Sequence, residues 1–223
     1  MSERESILTR IREALSVAAP PPGVTAHAPK PAPRSLAEVL PRTGANFEQN
    51  VELFRQNSVE LKADFVLVAN ADDLAAKLKQ LRDAEGWKRI ASHAGALTDA
   101  ACRTLGLPTL LTDSPHDVHE LEACDVGLTE CDALVAQTGS VLVTSRSAGG
   151  RALSVLPPHH VVLARRDQLV PGLPDAFALL QTRYGASYPS MISFITGPSR
   201  TGDIERILVL GAHGPKKLTV LCC

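Results

Sequence analysis

The spacing of apolar positions changes several times along this chain. Near the start, Ile7, Leu8, Ile11 and Leu15 share one face at helical spacing, and Ser2 with Glu5 forms a capping-box pattern. A short amphipathic helix is predicted there. From Ala19 to Pro33 the prolines are too dense for a helix or a central strand, so this stretch reads as an extended linker. The pattern therefore predicts a tethered helix with its linker over residues 1–34 and one folded domain over residues 35–223. The apolar face of such a helix is expected to pack on the domain, on a partner protein or on a second copy of the chain, or else the helix is disordered.

From Asn46 the helical period returns, with Phe47, Val51 and Phe54 on one face. The run Phe65–Ala69 then reads as a strand, and Asn70 with Asp72 and Asp73 as the start of a helix carrying Leu74, Leu78 and Leu81. Arg89–Ala91 and Thr109–Thr112 are short strand patterns around a helix predicted over Ala94–Leu105. Six more short apolar runs follow: residues 125–129, 140–144, 160–164, 191–195, 207–210 and 218–221. Another helix is predicted from Pro174 to Gly185, with Phe177, Leu180 and Tyr184 facing inward. Alternating strands and helices predict an α/β fold, a three-layer α/β/α sandwich around a mostly parallel sheet.

Composition narrows the function. Lys and Arg number 23 against 24 Asp and Glu, a net charge of -1, which lacks the basic excess of a nucleic-acid-binding surface. No apolar stretch approaches the roughly 18–20 residues of a membrane span, and the charged start does not read as a signal peptide. A cytoplasmic protein is expected. The five cysteines, Cys102, Cys124, Cys131, Cys222 and Cys223, make no C-x-x-C pair, so neither a metal site nor an iron–sulfur cluster is expected in this chain.

In parallel sheets, ligands gather at the carboxyl ends of strands. Four loops fit such positions: Gln137–Ser140, Ser145–Arg151, Thr196–Asp203 and Gly211–Pro215. The third offers Gly197 for close backbone approach, Ser199 and Thr201 as hydroxyls, and Arg200 as a fork for a carboxylate or phosphate. It reads equally as a turn whose Ser199, Thr201 and Asp203 cap a short helix. Thr138, Gly139 and Ser140 supply further small polar groups, or simply a tight turn. His213 beside Gly214 is the candidate catalytic base, or else a turn histidine. His159 and His160 are neighbours in a strand and point to opposite faces, so they cannot share one metal. Together these residues predict a small-anion site.

Four stretches carry a resemblance: residues 132–143, 156–162, 195–205 and 208–215. They resemble the lactate utilization protein C family of LUD-domain proteins. The resemblance implies a NagB/RpiA/CoA-transferase-like fold and a non-redox component of a system oxidising L-lactate to pyruvate. It also implies iron–sulfur and cysteine-rich partner proteins that hold the clusters, with no cofactor in this chain. Ser140 stands where many members have Thr, which keeps the hydroxyl. The glutamate typical of CoA transferases has no counterpart motif. A stand-alone enzyme acting on a phosphosugar or thioester, and a metabolite-binding regulator, remain the alternatives.

Overall fold

The computed structural model describes residues 3–16, 40–201, 209–210 and 214–223. The chain divides into two compact units, Met1–Leu40 and Pro41–Cys223. In the first, α1 (Glu3–Ser16) forms where the period predicts it, with Ile7, Leu8 and Ile11 exposed.

The second unit is built on a six-stranded sheet. In chain order its strands are β1 (Asp64–Leu67), β2 (Ile90–Ser92), β3 (Thr109–Leu111), β4 (Val126–Thr129), β7 (His159–Ala164) and β12 (Lys217–Cys222). They lie in the order β1-β12-β7-β4-β2-β3, and every neighbouring pair is parallel. One face is covered by α3 (Ala71–Glu85) and α4 (Ala96–Leu105), whose Leu74, Leu78, Ala101 and Leu105 pack with Val161, Leu163 and Leu221. The local signals act as expected. Asn70 caps α3 by accepting the Asp73 N–H, and Gly86 ends that helix in the left-handed conformation.

The other face carries a finding the sequence pattern does not reveal. The strands β5 (Ala133–Val135), β6 (Ser140–Thr144), β8 (Leu169–Val170) and β9 (Ile192–Ile195) form a separate sheet, ordered β8-β5-β6-β9. Pairing of β6 with β5 and β9 is antiparallel. The runs 140–144 and 191–195 therefore do not join the parallel sheet. All five residues of β6 are buried, so the strand shows no alternation of apolar and polar residues. A strand covered on both faces reads alike in either kind of sheet.

The small sheet is a layer in its own right. Leu134, Ala136, Val141 and Val143 face the large sheet, together with Val51 and Phe54 of α2 (Phe47–Glu60). Phe54 is fully buried and meets Phe65 edge to face at 4.8 Å. Ala133, Val135 and Leu142 face outward, where Ala176, Leu180 and Tyr184 of α6 (Leu173–Tyr184) cover them. Phe177 departs from expectation: it is exposed and meets Phe194 at 5.4 Å. The buried stripe runs Ala176, Leu180, Tyr184 at the i, i+4 spacing, and Phe177 lies one residue off it. The short helix α5 (Val118–Glu122) buries Leu121.

Beneath α6, Asp132 is fully buried and accepts bonds from Arg183 Nη1 at 2.7 Å and from the Tyr184 hydroxyl at 2.6 Å. This network ties the entry to β5 onto α6, and the other carboxylate oxygen has no partner among the described residues.

Candidate functional site

The β5–β6 connection contains Thr138, Gly139 and Ser140. Gly139 has φ +64°, and a Cβ there would lie 2.7 Å from the Asn57 Cβ. Glycine is thus required twice over, by backbone conformation and by the close approach of α2. Asn57 donates to the Ala136 carbonyl at 2.8 Å, which fixes the last turn of α2 on this hairpin.

Antiparallel pairing of β6 with β9 sets Val141 opposite Ile195. One step outward, Ser140 and Thr196 meet through their hydroxyls at 2.8 Å, and Thr138 bonds Ser140 at 2.8 Å. Three hydroxyls thus form one chain. Its far end, Thr196, opens the segment Thr196-Gly197-Pro198-Ser199. Gly197 has φ +84°, and a Cβ there would meet the Leu61 carbonyl at 2.9 Å and Arg200 Nη2 at 3.1 Å. Arg200 therefore packs beside Gly197, close to the carboxyl end of α2, where the helix dipole favours a cation. It is exposed and carries no ion pair to a described residue.

Residues Thr196–Ser199 form one wall of a pocket of about 260 Å3. Gly214 and Pro215 close another side, and the Ser199 N–H donates to the Pro215 carbonyl at 2.9 Å. Strand β9 contributes Met191, Ser193 and Ile195 from its vicinity, Ser154 and Val155 form part of the rim, and His160 and Leu218 come from β7 and β12. These last two are partners in register near the starts of their strands.

The pocket thus sits at the amino ends of the central parallel strands. The sequence expectation that these loops lie at their carboxyl ends is corrected. The glycine and hydroxyl loops belong to the antiparallel sheet, and its β9 runs so that its end, Thr196, arrives at the opposite edge. At the carboxyl ends, around β2, the described groups are tied up structurally. His93 Nε2 accepts the Glu130 N–H at 3.1 Å, so its Nδ1 carries the proton shared with the Ala94 carbonyl at 3.0 Å. The Glu130 carboxylate accepts the Leu97 N–H at 2.8 Å in the first turn of α4.

Of the sequence candidates, Gly197, Ser199 and Gly214 line the pocket. Arg200 packs on its Gly197, and Thr138 with Ser140 reaches it through Thr196. Gly139 shapes the hairpin behind it. Thr201 pairs with Val209 in the ribbon of β10 (Arg200–Thr201) and β11 (Val209–Leu210). His213 and Asp203 lie outside the described residues. The loop Ser145–Arg151 goes elsewhere: Arg146 stacks on Tyr184 at 5.5 Å, and Arg151 donates to the Ser190 carbonyl at 3.0 Å.

Sequence reasoning missed His160. It is buried, and its Nε2 shares a 2.9 Å hydrogen bond with Thr129 Oγ1, while Nδ1 has no partner among the described residues. Burial pushes its pKa down to about 3, so the imidazole is neutral across the physiological range. The signal that could have found it is the register of an apolar strand interrupted by a polar pair, which places one histidine on each face. No group of three or more His, Cys, Asp or Glu among the described residues could hold a metal.

The chain is similar to known proteins. The model of the LUD domain matches residues 112–222, which contain the hairpin, the pocket segments and β12. Lactate utilization protein C of Shouchella clausii is 30% identical over 184 residues, covering 78% of each chain. The protein of the same name from Deinococcus radiodurans is 30% identical over 194 residues, covering 86% of this chain and 83% of its own. That of Bacillus velezensis is 27% identical over 235 residues, with 97% and 94% covered. A crystal structure of a DUF162 family protein from Deinococcus radiodurans shares the fold, with a TM-score of 0.63 at 23% identity over 80% of this chain and 99% of that one. With 30% identity to such relatives over 78% and 86% of its length, and the LUD domain matched over residues 112–222, the chain belongs to the lactate utilization protein C family of LUD-domain proteins.

Proposed function

We propose that this chain serves lactate utilization as a non-redox component that binds a small carboxylic acid in the pocket between Thr196–Ser199 and Gly214–Pro215. The role rests on the relatives named lactate utilization protein C. The binding reading is carried by one observation: chain segments far apart in sequence, all within the matched LUD region, converge on a single pocket with small polar groups on its wall.

The chemistry suits an acid. Thr196, at the end of the hydroxyl chain, can donate outward when Thr138 and Ser140 donate in the same sense. Arg200 supplies a planar fork for a carboxylate beside Gly197. Electron transfer is assigned to iron–sulfur partner proteins, which this chain accompanies in the cytoplasm.

Titration calorimetry of the full chain with lactate and with pyruvate tests the reading. Arg200→Ala lowers affinity roughly ten- to a hundred-fold, about 1.5–3 kcal/mol, with the melting temperature unchanged. Arg200→Lys restores part of it, since the ammonium keeps the charge and loses the fork. Turnover of a phosphosugar or thioester by the isolated chain would favour a stand-alone enzyme. Lactate and pyruvate are excluded as the acid if neither binds, and the acid-binding reading fails if no carboxylic acid binds or if Arg200→Ala binds its acid as the parent does.

A further inference from the structure

The pocket is not built like a site for a three-carbon acid alone. Its volume is about 260 Å3, whereas a water takes roughly 30 Å3 of liquid and a six-heavy-atom acid on the order of 100 Å3. Its walls carry Val155, Met191, Ile195, Pro198, Pro215 and Leu218. The polar lining consists of hydroxyls and one imidazole, and no charged side chain is among the described residues that line it. The exposed guanidinium of Arg200 stands beside the Gly197 wall instead. Charge outside and apolar surface inside define a polarity that lactate, with a single methyl group, would use poorly.

We propose that the pocket selects monocarboxylic acids with an apolar body longer than that of lactate. The carboxylate sits toward Thr196 and Arg200, and the body lies against Met191, Ile195 and Leu218. This rests on the acid-binding reading of the same pocket and adds the class of ligand. His160 closes the inner end as a neutral group. A dianion is disfavoured, since the apolar walls of Met191, Ile195 and Leu218 would desolvate its second charge.

The test is a series of 2-hydroxy acids of growing length on the full chain: lactate, 2-hydroxybutyrate, 2-hydroxyisocaproate and 3-phenyllactate, with malate as the dianion. Each buried methylene tightens binding about fourfold, and malate binds more weakly than 2-hydroxybutyrate. Filling the pocket by Ser193→Leu compresses the series, weakening the long acids more than lactate. Should that variant unfold, the parent series alone decides. Long acids that bind while lactate does not uphold this proposal and count against lactate as the ligand. Arg200-dependent lactate binding with no gain along the series overturns this proposal and leaves the simpler reading standing. If no acid binds, both fall.

Discussion

His159 and His160 are neighbours on β7, yet the structure treats them as mirror-related halves of one device. Each is buried, and each bonds through Nε2 to a threonine on an adjacent parallel strand, His159 to Thr219 and His160 to Thr129, both at 2.9 Å. Each keeps an Nδ1 without a partner among the described residues. Burial lowers both, His159 to about 4 and His160 to about 3. Their surroundings diverge. His159 stands edge-on to Trp87 at 5.3 Å and lines a pocket of about 190 Å3 with Glu85, Asp125, Lys216 and Lys217. Lys217 and Glu85 neutralise one another there at 2.6 Å. His160 faces the hydroxyls, glycines and apolar walls of the larger pocket. Identical local chemistry thus gives one histidine packed on Trp87 beside a neutralised ion pair and one lining the larger pocket, and the difference lies in what the second sheet brings to that face.

Acid is the strongest way to probe what the two share. Both folded-state values lie below the ordinary histidine value of 6.5. The stability gained from keeping them neutral is therefore complete above about pH 6.5 and is lost as pH falls toward 4 and then 3. The slope approaches about 1.4 kcal/mol per pH unit for each histidine. Chemical denaturation across pH 7 to 4 checks this, and a flat profile would show that neither ring is held neutral. Ligand affinity, by contrast, should not change between pH 5.5 and 8 through any titration of His160.

The threonines separate the two faces. Thr129→Val and Thr219→Val each leave a buried imidazole nitrogen unpaired and should cost about 1–3 kcal/mol in stability. Only Thr129→Val should also weaken acid binding, because only its histidine lines the larger pocket. Equal effects of both on binding would erase the proposed distinction.

The smallest effect sharpens the picture further. Ser140→Ala cuts the hydroxyl chain between Thr138 and Thr196 and should cost about 0.5–1.5 kcal/mol. Part of this should appear as lost affinity if Thr196 takes its donor direction from the chain, which calorimetry on the variant reads directly.

Much of this architecture was legible in the residues. Asn70 as a helix cap, Gly86 as a stop, the apolar stripe of α2 and the α/β alternation all act within a few residues of themselves, so local physics suffices to read them. The grouping of Thr196–Ser199 with Gly214 and Pro215 was visible as chemistry but not as a place. Three things came only from tertiary structure. Burial on both faces hid the antiparallel pairing of β6, and that pairing alone sets Ser140 against Thr196. The orientation of β9 then placed the glycine and hydroxyl loops, and the pocket they wall, at the amino ends of the parallel strands. And His160 acquired its role from elements far away in sequence: Thr129 holds one nitrogen and the β9 wall faces the ring. The sequence by itself determined which residues cap, turn and bury. The packing of one sheet on another decided which of two adjacent histidines lines the larger pocket, because that depends on contacts no local pattern encodes.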